Sequence, residues 1–119
     1  MRAPTGSRIM LTDRRSGQER REVERQNVSI DVEWEAGEGR REGTLSDLSE
    51  AGCFVMSSGD IAVGETVRLF LPLGDGMKVE VLGEVRNFVF EIGFALKFLD
   101  PTEAQTSVIK GLMVKYAQP

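Results

Sequence analysis

The chain has 119 residues, 40% hydrophobic and 29% charged, with a net charge of −4, no histidine and one cysteine. That length suits one compact domain with a core and a tail, and the missing histidine and lone Cys53 exclude intrachain disulfides, thiol metal sites and most triad chemistry. No apolar run approaches the roughly 18 residues of a membrane span, and no charged-then-apolar signal peptide opens the chain, so a soluble cytoplasmic protein without a membrane span is expected.

Charge is unevenly placed. The first 25 residues hold seven arginines and no lysine against four acids, so they carry +3 and the remainder −7. Residues 1–18, with Pro4, Gly6, Ser16 and Gly17 and only Ile9-Met10-Leu11 as an apolar patch, read as a flexible N-terminal arm. Met10 is an alternative start to Met1. Gln18 to Gln26 is compatible with a short polar helix that would set Arg21 and Arg25 on one face. Taken alone, such a charge run reads as a solvated segment.

Val28 to Trp34 alternates apolar and polar residues, the mark of a strand with one buried face. Gly37-Glu38-Gly39 signals a turn, and Arg40 to Ser46 returns as a partner strand ending at Asp47. Ala51 to Met56 is the third strand, its Gly52 marking a bulge or a close approach of backbones. Within it Cys53 reads as a small buried hydrophobe rather than a nucleophile, since no base accompanies it. Thr66 to Leu71 places Val67, Leu69 and Leu71 on one face, and Pro72 is expected to stop it. Gly74-Asp75-Gly76 then turns the chain into Met77–Arg86, where Val79, Val81 and Val85 alternate with Lys78, Glu80, Glu84 and Arg86. Ile92 to Phe98 closes the series with Ile92, Phe94, Leu96 and Phe98 on one face. Six strands at short spacing predict a mainly β protein, an antiparallel barrel.

The chain ends as a helix. Asp100 is the expected N-cap, with Pro101 at the first helical position and Glu103 completing a capping box. Val108, Ile109, Leu112, Met113 and Tyr116 form one apolar stripe that should lie on the barrel.

Two segments remain that the strands do not explain. Glu19-Arg20-Arg21-Glu22-Val23-Glu24-Arg25 offers guanidinium groups, planar donor forks that suit a phosphate or the O6/N7 edge of guanine. Asp47-Leu48-Ser49-Glu50-Ala51-Gly52 offers the complement: a carboxylate that accepts from a base N–H, a hydroxyl that donates or accepts, and a glycine that admits close backbone. Arg21-x-x-x-Arg25 followed across a strand by Asp47-x-Ser49-x-x-Gly52 resembles the PilZ domain family, a resemblance that runs from about Arg20 to the C-terminus.

The resemblance implies a PilZ-type barrel that binds cyclic di-GMP. It makes residues 19–27 a flexible ligand-binding loop, 28–99 the barrel and 100–117 the helix of a domain spanning 19–119. Arg20, Arg21, Arg25, Asp47, Ser49 and Gly52 become the ligand-binding residues. An arginine immediately before the R-x-x-x-R, here Arg20, implies an intercalated pair of ligand molecules rather than one. The family role is that of a receptor or adaptor that passes the signal to a protein effector, which the sequence does not identify; homodimerisation is left open. The alternatives are a ligand-independent PilZ-like adaptor and, less favoured, a nucleic-acid-binding barrel. Against the second stand the acidic body and aromatics that mostly alternate into the core, leaving no stacking platform for a nucleic acid polymer. Catalysis is not expected, because no nucleophile or metal set accompanies the carboxylates.

Overall fold

The computed structural model describes residues 24–37 and 39–118. The residues 1–23 that the sequence reading assigns to the arm, and to most of the polar helix, lie outside them. Glu24 and Arg25 are not helical, and Gln26 already belongs to a strand.

Six strands, β1 (Gln26–Glu35), β2 (Arg40–Leu48), β3 (Gly52–Met56), β4 (Thr66–Gly74), β5 (Met77–Val89) and β6 (Gly93–Phe98), precede one helix, α1 (Glu103–Lys115). They close into a barrel in the order β1-β2-β3-β6-β5-β4, every pairing antiparallel. Closure rests on a short seam in which Glu33–Glu35 of β1 meets Phe70–Arg68 of β4. The alternation read in the first strand is what fills the barrel. Val28, Ile30, Val32 and Trp34 are all buried, joined by Leu45, Leu48, Val55, Val67, Leu69, Leu71, Val81, Val85, Phe94, Leu96 and Phe98. Burying each such side chain stabilises the fold by about 1.5–3 kcal/mol. Trp34 meets Phe94 edge to face with ring centroids 4.9 Å apart. Its indole N–H donates to Ser57 Oγ at 3.1 Å, so the largest core side chain leaves no buried donor unpaired.

Several expected boundaries move. Pro72 does not end β4; it pairs in register with Lys78, and the strand runs on to Gly74. The last β4 residue in the β1 seam is Phe70, so Pro72 sits where a missing N–H removes no bond to β1. Asp75 and Gly76, at φ +54° and +76°, make the tight turn into β5. Ile92 stays outside the barrel, 54% exposed, because Glu91 at φ +63° still belongs to the turn and the Ile92 N–H is bonded to Val89 O. Asp100 is not the helix cap. It takes φ +43°, and Thr102 caps instead: its hydroxyl accepts from Gln105 N at 3.1 Å while Gln105 Oε1 accepts from Thr102 N at 2.8 Å. Gln105 rather than Glu103 completes the box, and its amide also donates to Glu80 O of β5 at 2.8 Å, a link that a carboxylate could not make.

The expected apolar stripe of α1 is the face that docks. Ile109 and Leu112 are buried, with Val108, Met113 and Tyr116 packed at the edge. Beyond the helix, Gln118 N donates to Asn27 O at 2.8 Å. Gln118 is thereby tied to the start of β1.

Candidate ligand-binding site

Arg25, the last residue of the first motif, meets the second motif at the start of β1. Asn27 pairs with Asp47 across the β1–β2 ladder, which carries Arg25 to the open side of that carboxylate. Arg25 Nη1 donates to Asp47 Oδ1 at 2.7 Å across 22 residues of sequence. The arginine is 57% exposed and the aspartate 28%, so the pair stands at the surface with its remaining donors and acceptors facing outward. Arg20 and Arg21 lie outside the described residues.

Ser49 and Gly52 come to the same turn but face inward. Ser49 is fully buried. Its hydroxyl accepts from Ala51 N and Gly52 N at 3.1 Å each and donates to Gly52 O at 3.2 Å, while Ser49 N donates to that same oxygen at 2.8 Å. Every bond the hydroxyl makes here holds the β2–β3 turn closed, so its contribution is to fix where Asp47 points. Gly52 pairs with Lys97 of β6, and a Cβ at this position would lie 2.0 Å from Leu96 O. Only glycine lets β3 approach β6 this closely. Ala51 O accepts from Phe98 N at 2.8 Å, so the turn is also stitched to the end of β6.

Asp47 itself owes its direction to a bulge. Leu45 pairs with Val55 and Asp47 with Phe54, leaving Ser46 as an extra residue in β2. Leu45 and Leu48 are both in the core, so Ser46 and Asp47 together occupy the outer face. Strict alternation does not foresee this, but the two consecutive polar residues between two leucines are its trace in the sequence.

Cys53, next to Gly52, is buried in the core, where loss of solvation pushes its thiol well above its ordinary range, with the Asp47 carboxylate adding to the effect. A thiol held protonated is no nucleophile. Among the described residues no three His, Cys, Asp or Glu side chains gather to hold a metal, and no helix is long and apolar enough to cross a membrane. A hollow of about 480 Å³ lies elsewhere, over Asp31, Glu33, Glu42, Thr44 and Lys78. With three carboxylates against one ammonium, it repels an anion.

The PilZ domain model matches residues 19–115, a span holding both motifs, the barrel and the helix. The chain belongs to the PilZ domain family. Among solved structures, this PilZ domain is similar to the PilZ domain of Escherichia coli YcgR with c-di-GMP, at TM-score 0.69 and 11% identity over 82% of this chain and 92% of that one. It is similar to the PilZ domain of CeSA from a cellulose-synthesizing bacterium, at TM-score 0.62 and 21% identity, covering 77% and 96% of the two chains. It also matches the Bacillus subtilis inhibitor of motility MotI/DgrA at TM-score 0.67 and 18% identity over 82% of this chain, but spans only 51% of that protein. At these identities the likeness is one of fold. No curated protein matches the sequence.

Proposed function

We propose that this PilZ domain is a cytoplasmic cyclic di-GMP receptor that acts by binding rather than by catalysis. The observation that carries the reading is the 2.7 Å bond between Arg25 and Asp47, which joins the last arginine of one motif to the first residue of the other. Without ligand, each group is held and neutralised by its counterpart. A guanine nucleotide offers both of them something stronger. Its phosphates and Hoogsteen edge suit guanidinium forks, and its N1/N2 donors suit a carboxylate, so Asp47 discriminates guanine from adenine. Arg20, Arg21 and Arg25 close over the ligand from the N-terminal side, and Asp47 receives it on the barrel, with Ser49 and Gly52 holding the turn beneath. With Arg20 ahead of the R-x-x-x-R, the ligand is an intercalated pair. Ordering residues 19–25 over it creates a surface present only in the bound state, and that surface is read by a protein effector.

Calorimetric titration of the chain with cyclic di-GMP, beside cyclic di-AMP and GTP, tests this directly. Selective binding near two ligands per chain is expected, falling to one in Arg20→Ala. Replacing Arg25 or Asp47 by alanine removes charge-assisted bonds of about 1.5–3 kcal/mol each, a loss of roughly 10- to 150-fold or more. Unchanged affinity in both variants would refute the site.

A further inference from the structure

Helix α1 carries a second stripe that the barrel does not take. Lys110, Met113, Val114 and Ala117 recur at intervals of three and four residues, a helical face set beside the buried one of Ile109 and Leu112. Val114 is 81% exposed, more than any other large hydrophobic side chain among the described residues. With Glu24, Gln26 and Glu50, this stripe lines a hollow of about 420 Å³ between α1, the approach to β1 and the β2–β3 turn. Along that approach the side chains alternate. Gln26 and Glu24 continue the set begun by Val28 and line the hollow, whereas Arg25 between them reaches Asp47.

The hollow is therefore apolar on its helix side and acidic at its rim. Glu24 and Glu50 outnumber the one cation, Lys110, and the C-terminal end of α1 adds the partial negative charge of its last carbonyls. A fitting occupant brings apolar side chains flanked by positive charge. The chain itself holds such a stretch: Arg8-Ile9-Met10-Leu11-Thr12-Asp13-Arg14-Arg15 sets three consecutive apolar residues among three arginines and one aspartate, a net of +2. Reach does not limit it. Residues 12–23 connect Leu11 to Glu24, which itself lines the hollow, and extended they span roughly 40 Å. The connection has only to double back, and Ser16-Gly17 lies near its middle. Tethering holds the stretch at an effective concentration on the order of millimolar, so weak contacts suffice.

We infer that this hollow is the seat of the chain's own residues 8–15, with Ile9, Met10 and Leu11 against Met113 and Val114 and the arginines beside Glu24 and Glu50. Residues 12–23, Arg20 and Arg21 among them, then form a loop held at both ends close to the Arg25–Asp47 pair.

The test is NMR spectroscopy of the full chain without ligand, so its outcome does not depend on what the domain binds. A nitroxide attached through Thr12→Cys, with Cys53 buried and protected, is expected to broaden the amide signals of Lys110, Val114 and Ala117. Those of Phe90 and Ile92, beyond the far end of β3, should stay sharp. Adding Val114→Glu, which replaces an exposed side chain, or Leu11→Asp should abolish the broadening, as should high salt in part. Thermal melting verifies that each variant folds. Sharp α1 signals in the labelled parent overturn the seat, and so does broadening that persists in either variant. Broadening centred on Phe90 and Ile92 overturns it too, by placing the arm on another apolar surface. A mixture of spin-labelled chain with isotope-enriched, unlabelled chain should show no broadening; broadening there as strong as within one chain means that a second copy's arm fills the hollow, and the intramolecular seat is lost.

Discussion

On the outer face where β1 meets the start of β2 and the strands β4 and β5, charged groups answer one another. Arg40 reaches Glu35 at 2.9 Å and Glu33 at 3.4 Å, Lys78 reaches Glu33 at 3.5 Å, and Arg68 lies 3.8 Å from Glu35 and 3.7 Å from Glu80. The Arg40 guanidinium also covers the ring of Phe70 at 4.1 Å, and its hydrogen bond with Glu35 raises its pKa further. At the β2–β3 turn Arg25 meets Asp47 at 2.7 Å and Lys110 of α1 lies 3.8 Å from Glu50, and the first pair is built over a buried serine and a glycine that admits no substitute. The first face has more charge and a hollow of its own, yet each of the cations named on it is already paired within the barrel. The second has one close, hydrogen-bonded pair, Arg25 with Asp47, with donors and acceptors to spare. In the proposed receptor, charge density is therefore a poor guide to the site; what matters is a charge that a rigid turn holds in place and a ligand can take over.

Breaking the turn should show the contrast most strongly. Gly52→Ala forces a Cβ against Leu96 O, and a cost at or above the upper end of about 1–3 kcal/mol is expected. Denaturant melts should show the loss, and ligand titration should show binding reduced along with it. Ser49→Ala leaves the Ala51 and Gly52 amides without their acceptor, for about 1–3 kcal/mol, with a smaller fall in affinity. A stable Ser49→Ala protein that binds no ligand would mean that the hydroxyl contacts the ligand directly.

The compensated face should behave in the opposite way. Glu35→Gln removes one partner from exposed pairs, so stability should change by under about 1 kcal/mol and cyclic di-GMP affinity not at all. An altered affinity there would move the site. The smallest effect comes from Cys53. Its folded-state pKa is raised above the ordinary value of about 8.5, so folding keeps a proton that the unfolded chain releases. Stability is then full below that value and declines as pH rises above it. Thiol labelling of the native protein should be slow at neutral pH and rise to full rate only on unfolding.

Legibility in the sequence followed the range of the interaction involved. The buried face of β1, the turn at Asp75-Gly76 and the stripe of α1 are set by neighbours two to four residues apart, and all three were readable from pattern alone. The helix cap was misplaced by two residues because Gln105 is held by Glu80 from another strand. Ile92 was misassigned because an apolar residue in a turn has the same composition as one in a strand.

For the site, the residue types and their order were determined by the sequence: arginines that cannot lose their charge, a carboxylate, a serine and a glycine at fixed intervals. Tertiary structure alone decided where the described ones among them stand. Register across β1, β2 and β3 brings Arg25 to Asp47, closure against β6 makes Gly52 obligatory, and a bulge in β2 turns Ser46 and Asp47 outward together. The physical reason is that a strand's own alternation fixes only which side a residue takes. Which residues become neighbours across that side depends on pairings between segments far apart in the chain, and a single inserted residue resets them.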